Sequence, residues 1–353
     1  MPQLNTPLLF KPYFSETIWG GRRLLQQFGK QLPTDTLVGE SWEVSAIAQR
    51  ETVVANGPFQ GELLSNLYRL DPCSLVGPQC SGIPEFPLLL KFIDANDRLS
   101  IQVHPDDVYA RTKLHHPFGK TECWYIADAG TEGALGIGLK ENITQEQLRN
   151  AIRDNTIGQL LHTVKVTTGE VYIIPAGTIH AILNDLIVYE VQQSSDVTFR
   201  LYDWHRKDAA GNYRKLAVEE GVDATDLKKR DCYRIKPLSL SATEYQHLVR
   251  AACSYFALEE FTCDHEVAFS LPNRSSCRII SVLSGEFELT GNNLNQYIGK
   301  GMTVFLPAAL TSAEIKIDKQ CHMLMTTIPG GEYDVAKDLA AAGYSQEVIG
   351  SLK

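Results

Sequence analysis

Short apolar runs, cut at close intervals by Gly, Pro, Asn and Asp, set the tightest limit on what this chain can fold into. Trp42–Ala46, Leu88–Asp94, Ser100–Val103, Cys123–Ala127, Val164–Val166, Val171–Ile174, Val188–Gln192, Ile279–Leu283, Glu286–Leu289, Thr303–Leu306 and His322–Thr327 have strand length and composition. Many short strands joined by turns predict a mainly β chain, a sandwich or barrel of jelly-roll kind. Helical spacing is confined to a few places. Thr144-Gln-Glu-Gln147 has the form of a capping box, in which two side chains satisfy each other's backbone N–H groups. Leu148, Ile152, Ile157, Leu160 and Leu161 follow, with Asp154-Asn155-Thr156 expected to split the run into two helices. A second helix is expected over Asp106–Leu114, acidic in its first turn as the helix dipole favours, with weaker signals at Leu63–Leu70, Val218–Val222 and Tyr333–Ala342.

The Pro-Ala turns reveal an internal repeat. Gly169-Glu-Val-Tyr-Ile-Ile-Pro175-Ala and Gly301-Met-Thr-Val-Phe-Leu-Pro307-Ala have the same spacing. Five residues past the Pro, the first copy carries His180 and the second Ser312; upstream, Glu122–Gly130 aligns with Cys277–Gly285, setting Cys277 against Glu122. Two copies of one barrel unit are expected, the second lacking the first's polar side chains. A chain of 353 residues is long for one core and agrees with more than one module.

Charge and cysteine usage exclude some function classes. A formal charge of -9 disfavours general nucleic-acid binding, without excluding a local basic pocket for a small anion. No apolar run reaches membrane-span length; the longest candidate, Pro87–Ile93, is interrupted by Lys91. Met1-Pro2-Gln3-Leu4-Asn5 lacks the charged and apolar blocks of a secretory leader, so a cytoplasmic protein without a membrane partner is expected. None of the eight cysteines forms a C-x-x-C pair, which favours free thiols over a zinc ribbon or redox pair.

The chemistry-bearing residues begin at Arg98-Leu-Ser-Ile-Gln-Val-His104. Strand alternation puts Gln102 and His104 on one face and Ile101 and Val103 on the other, and Pro105 ends the ladder. Glu122 opens the next strand, and His180 follows a tight turn at Pro175–Thr178. One amide, two imidazoles and one carboxylate suit a borderline divalent ion with positions open to substrate. Spacing alone is also compatible with a hydrogen-bonded polar pair and a surface carboxylate. His115-His116 alternate faces and make a poor metal pair, and His205-Arg206-Lys207 reads as a solvated turn. Trp19, Trp42, Trp124 and Trp204 read as core or pocket wall. Lys91 and Ser100, on neighbouring strand-like runs, are candidate substrate contacts.

The segments Q-V-H-P-D-D, G-K-T-E-C-W-Y, I-P-A-G-T-I-H-A and V-Y-E-V-Q-Q-S-S-D-V-T-F-R-L-Y-D-W, with E-T-I-W-G-G and G-E-S-W-E-V-S, resemble those of the type I mannose-6-phosphate isomerases in their short bacterial form. The matches run in order from about Glu16 to Arg206; beyond that the likeness lies mainly in the barrel repeat. The resemblance implies a cupin fold, with residues 1–138 and 163–235 as the catalytic cupin, 139–162 as a small helical insertion and 236–353 as a degenerate second cupin. It implies one zinc ion per chain on Gln102, His104, Glu122 and His180, and catalytic roles for Arg200, Lys120 and Glu190. The implied reaction interconverts mannose 6-phosphate and fructose 6-phosphate through an enediolate, in a monomer or weak homodimer. Thr121 stands where some long members have Pro. The base stays open among Glu190, Lys120 and a water on the ion. A non-catalytic sugar-phosphate-binding or regulatory cupin, or a cupin dioxygenase, is the competing expectation.

Overall fold

The computed structural model describes residues 3–208, 210–272, 274–291, 294–310, 312–331 and 334–353. Met1, Pro2 and the expected helix start at Tyr333 lie outside the described residues. Among the described residues two large antiparallel sheets stand out, one of ten and one of eleven strands, so the mainly β expectation holds. In the first, Tyr13–Gly21, Val38–Val44, Leu88–Ala95, His180–Gln193, Glu122–Leu139 and Val171–Ile174 lie side by side in that order. Ile101–Val103 joins at the start of the His180 strand, and Phe199–Tyr202 pairs with it from the other side.

Two strands are longer than their apolar runs suggest. Glu122–Leu139 includes the polar stretch Asp128–Glu132, and its ladder with His180–Gln193 survives through bulges near Asn184 and Leu186. Asp185 takes a left-handed φ of 56° at this bend. Each bulge adds an unpaired residue and breaks the period of two that sequence patterns rely on.

The central strands are buried on both faces, which is why they read as continuous apolar runs. Trp124, Ile126, Val188 and Ile93 face the interior of the first barrel. Cys123, Tyr125, Tyr189, Val191, Leu90 and Phe92 face outward and share one cluster with Val249, Leu258, Ile279, Phe305 and Leu324 of the second sheet. Each fully buried Leu, Val or Phe contributes ~1.5–3 kcal/mol, whereas an exposed ion pair contributes about 0–1. This apolar seam therefore joins the two barrels. Tyr125 Oη donates to Glu260 Oε1 at 2.7 Å, and Arg250 Nε meets Glu260 Oε2 at 2.7 Å, across the same junction.

The expected Asp106–Leu114 helix divides into an α-turn at Asp107–Tyr109 and a π-turn at Ala110–Leu114, and the short helices Arg23–Phe28, Pro72–Val76 and Gln346–Gly350 are not among those expected; the capped helix matches its signal. Thr144 and Gln147 form both halves of the capping box over Gln145–Arg153, and a separate turn follows at Ile157–Leu160. They pack with Ile101, Val103, Phe199 and Leu201, the outer face of the site-bearing strands. No helix among the described residues is long and apolar enough to cross a membrane, and all eight cysteines are free.

The ladder corrects the repeat alignment by one residue. Glu122 pairs with Ile174, just before Pro175, and Arg278 pairs with Leu306, just before Pro307. The counterpart of Glu122 is therefore Arg278, not Cys277, which lies in the inter-barrel cluster. A slip of one residue exchanges the two faces of a strand. Inside the second barrel are Ile280, Val282, Phe287, Leu289, Val304 and Ile315, an apolar filling where the first barrel has a cavity.

The E-T-I-W-G-G segment has a packing reason. A Cβ on Gly20 would lie 2.4 Å from Gly39 N and 2.5 Å from the Val38 carbonyl carbon, backbone atoms that cannot rotate away. Gly20→Ala is expected to cost roughly 1–3 kcal/mol, as overpacking does, read as a lower urea midpoint. Gly82→Ala, with nothing within 4 Å, is the control and should shift the midpoint little.

Candidate active site

Three strand ends and one turn converge at one end of the first barrel. His180 pairs directly with Gln102 across the ladder. The Pro175–Thr178 turn is tied to the end of the Gln102 strand by Gly177 N–H to His104 O at 2.8 Å. Lys120 N–H donates to Pro105 O at 3.0 Å, which brings the Glu122 strand alongside. Thr121 donates its N–H to Gln193 Oε1 (2.9 Å) and accepts Ala176 N–H on its hydroxyl (3.2 Å); a Pro there would lose the first bond.

The result is a buried cluster of His104, Glu122 and His180, with one ligand atom from each within 4.8 Å of the others. Both imidazoles are oriented by backbone carbonyls: His104 Nδ1 bonds Val197 O and His180 Nδ1 bonds Thr178 O, each at 2.9 Å. Nδ1 therefore carries the proton, and Nε2 turns its lone pair to the cluster. Neither Glu122 oxygen receives an oriented hydrogen bond, although both are buried. Lys120 Nζ approaches Oε1 to 2.6 Å without hydrogen-bond angles and lies 3.2 Å from His104 Nε2. Gln102 Nε2 faces His180 Nε2 at 3.3 Å, while Ser100 Oγ donates to Gln102 Oε1 at 3.2 Å. The two ends of an amide are nearly isosteric, so a half-turn presents Oε1 to the cluster while Ser100 accepts from Nε2. Two imidazole nitrogens, an orphaned carboxylate and an amide oxygen fit a divalent ion of zinc type.

Electrostatics agree with that fit. Burial, then the Lys120 ammonium, pushes the His104 imidazole down to about 3, and burial lowers His180 as well, so both stay neutral as ligands. Burial alone would raise the Glu122 carboxyl, but the Lys120 ammonium leads the neighbouring charge that outweighs it and holds Glu122 well below the usual range.

A cavity of about 340 Å³ opens beside the cluster, lined by Lys91, Ser100, Gln102, Lys120, Glu122, Glu190 and Arg200. Every candidate named from the sequence except the two histidines, which are buried behind it, thus faces one space. Glu190 accepts Trp124 Nε1–H on Oε2 (2.7 Å) and lies 3.3 Å from Lys91 Nζ at Oε1. Burial first, then the Glu122 charge, raises the Glu190 carboxyl above its ordinary value. Burial alone would lower Lys91, but Glu40 and Glu190 raise it. Arg200 pairs in the ladder with Gln102 and donates to Lys215 O at 3.1 Å, while its buried Nε has no acceptor. Ile101–Val103 intervenes between its strand and that of Glu190, which are not direct neighbours.

Sequence reading passed over Glu40, Arg50 and Arg214, which also line the cavity. Glu40 shares a strand face with Trp42, a pocket wall, and that alternation was its available signal. In His205-Arg206-Lys207 the outer two side chains are exposed, as a solvated turn requires, whereas Arg206 is drawn in and bonds Asp203 Oδ1 at 2.7 Å. A larger open cavity of about 680 Å³ lies on the second barrel near His247 and His322, away from the ligand cluster.

A family model described as "Phosphomannose isomerase type I, catalytic domain" matches residues 8–154. The chain is 37% identical over 309 residues to a mannose-6-phosphate isomerase of Streptococcus mutans, covering 87% of this chain and 94% of that one. It is 32% identical over 326 residues to a probable mannose-6-phosphate isomerase of Bacillus subtilis, covering 92% and 99%. The crystal structure of the mannose 6-phosphate isomerase from Bacillus subtilis superimposes with a TM-score of 0.84 at 31% identity, over 92% of this chain and 100% of that one.

His180→Ala should abolish retention of divalent metal through gel filtration, measured by plasma mass spectrometry. Losing a ligand should exceed the ~10–100-fold affinity loss of an outer-shell change. Ser312→Ala, at the corresponding position of the second barrel, should retain the metal; equal loss in both would overturn a metal site confined to the first barrel.

Proposed function

The chain belongs to the type I phosphomannose isomerases, and from that membership we propose which residues carry the reaction and which ion they use. The protein is an aldose–ketose isomerase that interconverts mannose 6-phosphate and fructose 6-phosphate by moving a proton between C2 and C1. One observation supports the residue assignment above all: the ligand cluster forms one end of a single cavity whose walls carry Lys120, Glu190 and Arg200.

Gln102, His104, Glu122 and His180 would hold one zinc ion. When bound, it supplies Lewis acidity, polarising the substrate oxygens on which charge develops. Glu190 moves the proton. Its raised pKa brings its basicity nearer neutrality, and the Trp124 indole and Lys91 ammonium orient it. Arg200, beside Gln102 in the ladder, offers an unpaired N–H to the oxygen that gains charge. Lys120, whose ammonium lies 2.6 Å from Glu122 at the cavity wall, offers its N–H groups to a substrate oxygen. Ser100 and Lys91 hold substrate hydroxyl or phosphate oxygens from the adjoining strands. A binding-only cupin has no need for a buried carboxylate of raised pKa beside the ligands, so the catalytic reading is the better one.

Metal-loaded protein should form fructose 6-phosphate from mannose 6-phosphate in a coupled assay, lose turnover on chelation and regain it with zinc. Absence of turnover in the loaded protein would remove the assignment. Arg200→Ala should lower kcat by roughly 10²–10³, the effect of losing one oxyanion donor, with metal content unchanged; metal loss instead would make Arg200 structural.

A base acts when ionised, and the Glu190 pKa is raised. kcat/KM should therefore fall as pH drops through a value above the ordinary carboxylate range. Glu190→Gln should remove that acid limb along with most activity. An unchanged limb in the residual rate would assign it to another group.

A further inference from the structure

The cations around the cavity are not equally available. Lys91 lies between Glu190 at 3.3 Å and Glu40 at 3.8 Å, and Lys120 lies 2.6 Å from Glu122, all within the barrel. Arg214 bonds both oxygens of Asp203. Arg50 differs. Its carboxylate partner is Asp196, at 3.0 Å, and the two side chains are 43% and 41% exposed. An exposed pair of this kind contributes little and is readily exchanged.

Arg50 is nonetheless held in place. It follows the Val38–Val44 strand on a short loop closed by Thr52 N–H to Ser45 O at 2.9 Å, and its own N–H bonds Ile47 O at 2.9 Å. Its guanidinium carbon lies 5.2 Å from the ring centroid of Trp42, a side chain 1% exposed. Cation–π contact keeps the head group at the wall without using its N–H donors. Asp196, across the opening, is one residue before Val197, whose carbonyl orients His104. The pair thus joins the loop after Val44 to the segment that supports the ligand cluster.

We propose that Arg50 is an exchangeable phosphate contact: its guanidinium leaves Asp196 for the phosphate of the incoming sugar and so sets the affinity for phosphorylated substrate. This rests on the isomerase reading of the same cavity. A phosphate dianion carries more charge than the Asp196 carboxylate and accepts two N–H bonds from the planar fork, so it outcompetes that carboxylate. Asp196 is then released to water, which its exposure makes cheap. Asp196 acts as a placeholder that keeps the guanidinium over the opening and excludes weaker anions.

The two partners should behave oppositely. Arg50→Gln should weaken binding of inorganic phosphate, by calorimetry on metal-loaded protein, and raise KM for mannose 6-phosphate about tenfold, with kcat changed far less. Asp196→Asn should tighten phosphate binding several-fold, because the competing anion is gone. In an Arg50→Gln background Asp196→Asn should have no further effect, and Arg50→Lys should recover only part of the affinity. A simple strap between two loops predicts shifts of the same sign in both single variants; that result, or no shift in phosphate binding, overturns the proposal. Metal content in each variant shows whether His104 has been disturbed; metal loss in Asp196→Asn would count against the placeholder role. Phosphate binding is read without turnover. Wild-type protein that shows these phosphate effects but forms no fructose 6-phosphate would sink the isomerase reading alone.

Discussion

One transverse row of the first sheet organises both the site and the molecule. Trp42 pairs with Lys91, Lys91 with Glu190, Glu190 with Trp124, and Trp124 with Tyr172, on five neighbouring strands. Residues in register share a face, so this row presents an aromatic, a cation, an acid and two more aromatics to the barrel interior. The adjacent residues, Phe92, Tyr189, Val191, Cys123 and Tyr125, belong to the opposite face and form the seam with the second barrel. A slip of one position would put Glu190 into that apolar seam and Tyr189 or Val191 into the cavity. The seam and the site therefore enforce each other's register: the apolar face has one good partner, and satisfying it delivers the charged row to the cavity.

That delivery is expensive. Lys91, Lys120, Glu122 and Glu190 are each at most 4% exposed. Removing an ion from water costs several kcal/mol even after relaxation, and well-packed apolar residues in its place are often as stable or more so. The site resolves this with two cations against two anions, so the buried group is neutral, yet both carboxylates keep oxygens without oriented donors. Incomplete satisfaction of this sort is a liability in a structural core. It is useful where an ion and a charged substrate must still be accommodated.

Legibility from sequence followed the physics of each residue. Gln102 and His104 were readable because alternation on one short strand ended by a Pro is a local property. Glu122 and His180 lie on other strands: a strand start and a Pro-Ala turn marked them as candidates, and the ordered family-like segments were needed to join them to the Gln102–His104 pair. The Val197 and Thr178 carbonyls, which fix both imidazole tautomers, leave no side-chain signature at all. Arg50 sits in a loop whose side chain is placed by Trp42 and Asp196, far apart in sequence. The barrels were visible through Gly and Pro-Ala punctuation, but the strand before Gly285 carries no such mark, and counting back along it set Cys277 where the ladder sets Arg278.

The corrected register shows what the second barrel places where the first has its ligand cluster. Thr178 and Leu310 occupy the same position in their Pro-Ala turns, three residues past Pro175 and Pro307. The Thr178 carbonyl accepts from His180, a candidate ligand; the Leu310 carbonyl accepts from Arg278, the counterpart of Glu122. The acceptor is kept, and what addresses it changes from an imidazole to a guanidinium. Arg278 is 3% exposed, no carboxylate among the described residues is paired with it, and burial lowers its pKa to about 10. A fixed guanidinium at this point supplies positive charge from within the chain, and unlike a bound ion it leaves no coordination position for a substrate. With that charge built in, the remaining inward positions are free to become Ile280, Val282 and Val304, and the barrel closes around them. The carboxylate-to-guanidinium exchange at one ladder position is therefore the simplest physical account of why, among the described residues, one β unit offers a ligand cluster beside an interior cavity and the other an apolar interior.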